Sequence, residues 1–177
     1  MTHCPILGFA AFSGVGKTTL LTQLIPLLHE RGVRIGMIKH AHHDFDIDTP
    51  GKDSYVLRKA GAEQMLIASS ARWALMTETP GQTEADLFQL FDRLDQTRLD
   101  LILVEGFRHE VFPKIELHRP RLSHPLLCLH DKNMIAVATD APLPLAVHIP
   151  TLDLNDPAQI ADFIQSEILD RSIPDSA

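Results

Sequence analysis

Cysteine is scarce in this chain, with two in 177 residues. Cys4 and Cys128 stand far apart and form no C-x-x-C arrangement, so neither a disulfide framework nor a cysteine zinc site is signalled, and a reduced, cytoplasmic setting is the expectation. Long apolar runs are missing too. The stretches Ile6 to Phe12 and Met134 to Ala138 fall far short of the roughly 18 residues that a membrane-spanning helix needs. No Lys or Arg precedes the first run and no small-x-small cleavage site follows it, so no signal peptide is read. Positive charge is outnumbered: 16 Lys and Arg against 23 Asp and Glu leave a net charge of -7. No basic field draws the surface to nucleic acid or to anionic lipid, and any bound phosphate must be gripped by local geometry.

What is present is the composition of a folded domain, 45% apolar and 22% charged. The length suits one domain, expected over residues 1–171, with 172–177 a frayed tail. Ile6 to Ala11 reads as a strand buried on both faces. Leu20, Leu21, Leu24, Ile25, Leu27 and Leu28 recur at helical spacing, with Pro26 as a kink and Gly32 as the C-terminal cap. Val33 to Ile38 is a second strand and Asp53 to Ala60 a short helix. Gln64 to Ala68 and Arg72 to Thr77 read as a pair of strands around Ser70. Thr83 to Leu94 opens with a Thr-x-x-Asp capping pattern and reads as one helix. Strands follow at Leu101 to Val104, Lys114 to Leu117 and Met134 to Ala138, and Asp156-Pro157 opens a last helix through about Leu169. Strands alternating with helices predict an α/β fold of the P-loop NTPase type, a mostly parallel central sheet flanked by helices.

Ala11 to Thr19 matches the phosphate-loop pattern G-x-x-x-x-G-K-[ST], with Ala11 in place of the first glycine. Ser13, Gly14, Val15 and Gly16 would wrap a phosphate with backbone amides, and the following helix adds its positive N-terminus. Lys17 would reach the β and γ phosphates, the Thr18 hydroxyl a magnesium ion, and Thr19 closes the motif. This chemistry also needs a carboxylate at the end of a neighbouring buried strand, and Glu105, after Leu101 to Val104, supplies one as a catalytic and magnesium-binding candidate. Asp100, at the opposite end of that strand, reads as structural.

Lys39 to Asp48 holds three His and three Asp. The spacing is poor for zinc, which wants convergent ligands at longer separations, and no transition metal is expected at His42 or His43. The loop is expected to act beside the phosphate site, with Asp44 as a catalytic candidate and Asp53 as a second contributor; a merely solvated loop is the alternative. The stretch from His118 to Asp131 is the least readable. Its Leu126, Leu127 and Leu129, with Phe112 and Leu117 just before it, suit a subunit interface or the core.

Taken together, the segments at 11–21, 38–44, 50–55, 58–62, 72–80 and 99–110 resemble the MobB family, the adapter proteins of molybdopterin-guanine dinucleotide biosynthesis, over nearly the whole chain. The resemblance implies a P-loop protein that binds GTP with magnesium, hydrolyses it weakly, forms a homodimer and works with other molybdenum cofactor biosynthesis proteins such as the guanylyltransferase. It places the nucleotide on Gly14, Gly16, Lys17, Thr18 and Thr19, with Glu105 as the second acidic motif. The competing function is a small-metabolite kinase, which would need an Arg-bearing lid; Arg58, Arg72 and Arg108 are scattered singly. The Asn/Thr-Lys-x-Asp motif common in guanine-binding P-loop proteins is missing. Asp140, after the strand at Met134, is the candidate base reader, with a turn aspartate before Pro142 or the loop from Asp153 to Asp156 as alternatives.

Overall fold

The buried apolar runs become parallel strands. The computed structural model describes residues 4–41 and 45–172, and the chain sorts into two compact units, one comprising the described residues up to His40 and from Asp86 onward, the other Ala41 to Ala85.

In the first unit, β1 (Ile6–Ala10) leads through a tight loop into α1 (Lys17–Glu30), and β2 (Ile35–Lys39) follows. After the second unit come a short helix, β5 (Leu101–Glu105), β6 (Lys114–His118), β7 (Met134–Thr139), β8 (Thr151–Asp153) and a last helix, Pro157–Ile164. The six strands form one sheet in the order β2-β5-β1-β6-β7-β8. Every pairing in it is parallel. The sequence expectation of an α/β, mostly parallel sheet holds. β8 escaped it: three residues after Pro150, with only Leu152 buried, carry too little pattern to read.

Alternation along the strands decides the packing. Leu7 and Phe9 of β1, Leu101 and Leu103 of β5, and Ile115 and Leu117 of β6 join one core with Leu20, Leu21, Leu24 and Leu28 of α1 and Ile160, Ala161 and Ile164 of the last helix. Ile102 and Val104, which point to the other face of β5, are equally buried. That is why these strands read as continuous apolar runs. Each such Leu or Ile contributes about 1.5–3 kcal/mol by leaving water. α1 ends as its sequence signals: Gly32 takes φ 84°, its amide donates to His29 and the Val33 amide to Leu28, a Schellman closure.

The second unit holds α2 (Asp53–Lys59) and an antiparallel hairpin of β3 (Gln64–Ala68) and β4 (Trp73–Thr77). Its turn is tied by Ser69, whose amide and hydroxyl both donate to the Arg72 carbonyl. Arg58 of α2 is buried and gripped by Asp46 and Glu78, the latter at 2.6 Å.

Two expectations need correction. The helix read over 83–94 is only α3 (Leu87–Phe91), and its N-cap is Asp86, which accepts from the Phe88 and Gln89 amides at 2.9 and 3.1 Å. The carboxylate of Asp86 takes the capping role assigned to Thr83, and Asp95 then takes the Thr97 amide to start a separate 3₁₀ turn, Gln96–Arg98. Among the apolar residues offered as interface or core, Phe112, Leu117 and Leu126 are core. Leu129 is exposed. The last helix, α4 (Pro157–Ile164), is capped by Asp156 as expected and runs on as a π-helix, Gln165–Leu169.

The segment after β6 is held by a buried carboxylate. Glu116 accepts from the Leu127 and Cys128 amides, each at 2.8 Å, and so ties the 3₁₀ turn Leu127–Leu129 to the sheet. Burial, with Glu116 beside it, pushes the Cys128 thiol up to about 11, which leaves it an inert packing group. Glu116→Ala orphans both amides and is expected to cost about 3 kcal/mol, with Glu116→Gln costing less because one acceptor remains; urea unfolding of the two variants checks the order.

Candidate functional site

Because the strands are parallel, their carboxyl ends share one edge of the sheet. β1 lies inside it, between β5 and β6. The loop after β1, Glu105 at the end of β5, Arg119 just after β6 and Asp140 just after β7 therefore all leave along that edge.

Gly14 and Gly16 take φ 80° and 108°. Both lie in the left-handed region that only glycine enters without strain. Between them, the Val15 side chain is buried in the core, so the loop is pinned at its middle while its backbone turns on either side. Lys17 opens α1 and donates from Nζ to the Ala11 carbonyl at 3.1 Å, folding its ammonium back across the loop. Gly16 is the N-cap of α1 and provides no side-chain cap, whereas Asp86 and Asp156 cap α3 and α4. The first amides of a 14-residue helix thus lie at the loop with their partial positive charge uncompensated by a capping side chain. Ser13, Thr18 and Thr19 are exposed.

Glu105 is paired in register with Phe9 of β1 and Lys39 of β2. Its carboxylate is 15% exposed and meets Lys39 Nζ at 3.0 Å. The backbone behind it is tightly fixed. Gly106 takes φ 96°, and a Cβ there would come 2.6 Å from the Cβ of His40. Phe107 follows with φ 50°, is buried, and stacks on the His40 ring at 4.7 Å. A bulky residue at positive φ costs about 1–3 kcal/mol and persists only where its surroundings enforce it, a strain that gathers at functional positions. Asp100, at the far end of β5, makes a two-point pair with Arg34 at 2.9 and 2.6 Å, which holds its carboxyl below the usual range and gives it the structural role expected.

Asp140 is also engaged. Its Oδ2 lies 2.5 Å from Arg119 Nη1, and Arg119 Nε donates to the Val15 carbonyl at 2.8 Å. Asp140 further lines a hollow of about 350 Å³ at the ends of β7 and β8, with Thr139, Thr151, Asp153 and Asn155. The two alternatives for base reading, Asp140 and the loop from Asp153, therefore border one space. Asp153 spends Oδ1 on the Asn155 amide at 2.8 Å.

In the His/Asp segment, Asp44, His42 and His43 lie outside the described residues. Of the acids that are described, Asp46 pairs with Arg58, whose guanidinium holds its carboxyl below the usual range. Asp48 accepts from the Ser54 hydroxyl at 2.9 Å and the Thr49 amide at 3.0 Å. Asp53 is the exposed first residue of α2. Among the described residues no three His, Cys, Asp or Glu side chains are grouped to hold a metal, and no helix is long and apolar enough to cross a membrane.

Three residues at this edge were not singled out by sequence. Arg119 and His124 come from the segment after β6 that resisted reading, and both brace the loop after β1, Arg119 through Val15 and His124 by stacking on Phe12 at 4.5 Å. Lys39 belongs to the segment read for its histidines and aspartates. The usable signal was positional: each of Lys39 and Arg119 stands at or just past the carboxyl end of a strand.

Comparison with known proteins agrees with this geometry. Residues 6–140 match the family described as "Molybdopterin guanine dinucleotide synthesis protein B" (MobB). The chain is 57% identical to the molybdopterin-guanine dinucleotide biosynthesis adapter protein of Escherichia coli K12, over 92% of this chain and 93% of that one. It is 48% identical to the protein of the same name in Haemophilus influenzae, over 92% and 88%. Among solved structures, Bacillus subtilis MobB superposes with a TM-score of 0.72 at 25% identity, covering 93% of this chain and 98% of the other. A crystal structure of molybdopterin-guanine biosynthesis protein B gives 0.70 at 26%, covering 91% and 98%. With its family match spanning most of its length and its close relatives covering nearly all of it, the chain belongs to the MobB family.

Proposed function

We propose that this protein is a GTP-binding adapter of molybdopterin guanine dinucleotide biosynthesis, a slow magnesium-dependent GTPase at most. The observation that carries nucleotide binding is the Gly14-Val15-Gly16 turn, with two left-handed glycines around an anchored valine and Lys17 at the start of α1. The names of the close relatives support the adapter role.

In this reading the loop amides and the Lys17 ammonium take the β and γ phosphates, and the Thr18 hydroxyl with Glu105 offers the protein oxygens to magnesium. When bound, the ion neutralises charge between the phosphates. Lys39 then shares Glu105 with it, and the strained Gly106-Phe107 turn keeps the Glu105 backbone in place. Asp44 is retained as the candidate that orients water. The hollow bordered by Asp140 and Asp153 is the space for the base, where one carboxylate, on either residue, suffices to accept from the N1 hydrogen and 2-amino group of guanine.

Lys17→Ala removes the main charge facing the phosphates while the loop amides remain, and is expected to abolish measurable GTP binding in calorimetry. Near-native affinity would sink the phosphate-loop assignment. Glu105→Gln should keep binding and lower hydrolysis, because an amide offers magnesium and its water a weaker acceptor. Native turnover is itself expected to be slow, since an arginine finger can be worth ~10³ to 10⁵ in rate and Arg119, the guanidinium at the loop, is committed to Asp140 and Val15. Following γ-labelled GTP checks both statements. Label passing to a small acceptor instead of water would make the protein a kinase.

A homodimer belongs to the same proposal, with the guanylyltransferase as a further partner. Leu66 and Leu75 are cross-strand neighbours in the hairpin, and with Trp73 they share one face. Leu66 is 60% and Trp73 69% exposed, an apolar face that favours a protein partner. Light scattering is expected to give about twice the 19.7 kDa chain mass, and a value near the chain mass at micromolar concentration would remove the dimer.

A further inference from the structure

We infer that Arg119 is a positioning residue for the phosphate loop, clamped by Asp140, so that this carboxylate governs phosphate binding through the guanidinium. The inference rests on the nucleotide-binding reading above and assigns Asp140 a role other than choosing the base.

A loop with glycines on both sides of one residue is prone to peptide flips, because glycine crosses φ/ψ space at little cost. In the trans peptide joining Val15 to Gly16, the carbonyl and the N–H point in opposite directions. Turning that peptide over would exchange the face presenting an amide hydrogen for one presenting an oxygen, and an anion would meet a repulsive group. Arg119 Nε holds the Val15 carbonyl at 2.8 Å, which fixes the Gly16 amide away from the guanidinium. The Val15 side chain, buried in the core, anchors the same residue from its other end.

The guanidinium is planar and rigid, so fixing one edge fixes the direction of the rest. Asp140 supplies that fixation through Nη1 at 2.5 Å, with both partners largely buried, 20% and 17% exposed. Nη2 lies 3.8 Å from where a Gly16 Cβ would stand, so the plane lies directly against the loop. The contact joins residues 104 apart in sequence, between the ends of β6 and β7 and the turn after β1. One oxygen of Asp140 is spent on this clamp while its residue borders the hollow proposed for the base. Base side and phosphate side are thereby joined through one carboxylate.

The test compares native protein with Arg119→Gln, Arg119→Lys, Asp140→Asn and the double variant Arg119→Gln/Asp140→Asn, after thermal melting confirms that each is folded. Each is titrated with GTP and with xanthosine triphosphate in magnesium by calorimetry, and the Gly16 amide is followed by NMR. Arg119→Gln and Asp140→Asn are each expected to weaken both nucleotides by the same factor, about 10-fold, the size of a charge-assisted hydrogen bond. The double variant should be no weaker than Arg119→Gln alone, because the carboxylate acts through the guanidinium. Arg119→Lys should not restore affinity, since a single ammonium cannot span Val15 and Asp140, and the Gly16 amide should shift in every variant. Arg119→Gln binding GTP as the native protein does would overturn the inference and leave the nucleotide site standing. Asp140→Asn losing GTP while gaining xanthosine triphosphate would overturn it as well, and would return Asp140 to base reading. If the native protein binds no GTP, the nucleotide reading fails first and takes this inference with it.

Discussion

The parallel pairing of β1 with β5 and β6 is the constraint on which the rest depends. Parallel strands need crossovers, so every strand must end on the same edge before the chain returns. Glu105, Arg119 and Asp140 occupy distant places in the sequence, yet each stands at or one residue beyond the carboxyl end of its strand. The register does the remaining work by setting Glu105 level with Phe9 and Lys39 on its two neighbours. None of this requires a specific contact between the site residues beforehand. Burial of Leu7, Phe9, Leu101, Leu103, Ile115 and Leu117 under α1 and α4 fixes the strands, and a one-residue slip would turn each of those side chains to the opposite face.

That dependence explains what was legible. Buried parallel strands announce themselves as apolar runs, so β1, β5, β6 and β7 were read to within a residue of their ends. The hairpin was read as two strands about the turn at Ser70, and Gly32 and Asp156 marked helix ends by chemistry local to them. The turn from Gly14 to Gly16 was legible for the same reason, since its glycines answer to their own φ angles. Where two local signals competed, the reading failed. Thr83 and Asp86 both offer a cap, and the carboxylate won. β2 was read two residues early because Val33 is buried in the core, yet its amide closes α1 on the Leu28 carbonyl and the ladder with β5 starts only at Ile35.

The site was less legible than the fold because its partnerships are long-range. Glu116 holding the turn at Leu127 and Cys128, Lys114 donating to the Arg108 carbonyl at 3.2 Å and meeting Asp131 at 3.0 Å, and Arg119 reaching Val15 all depend on which strands are neighbours. A charged residue inside an apolar strand looks like an error until its partner is known. Lys114 and Glu116 are both 1% exposed and both fully engaged, so burial there is offset by specific hydrogen bonds and an ion pair. The segment from His118 to Asp131 had no periodicity to read because it forms two 3₁₀ turns whose order comes from Glu116 and from packing.

Charge at this edge is arranged in a way that the net value of -7 does not suggest. Lys39 faces Glu105 and Arg119 faces Asp140, so each of these cations is already balanced by a carboxylate. Lys17, by contrast, is bonded to a neutral carbonyl. On the nucleotide-binding reading proposed above, a polyphosphate finds its net attraction in Lys17 and in the amides at the start of α1, while the paired cations hold shape. On the proposed reading such a site selects by fit more than by field: the chain as a whole carries a net charge of -7, and an anion gains most where it reaches the loop amides and Lys17 together. The geometry of the Val15-Gly16 peptide then matters more than an added surface charge would, because amide direction, unlike a screened charge, keeps its effect at physiological ionic strength.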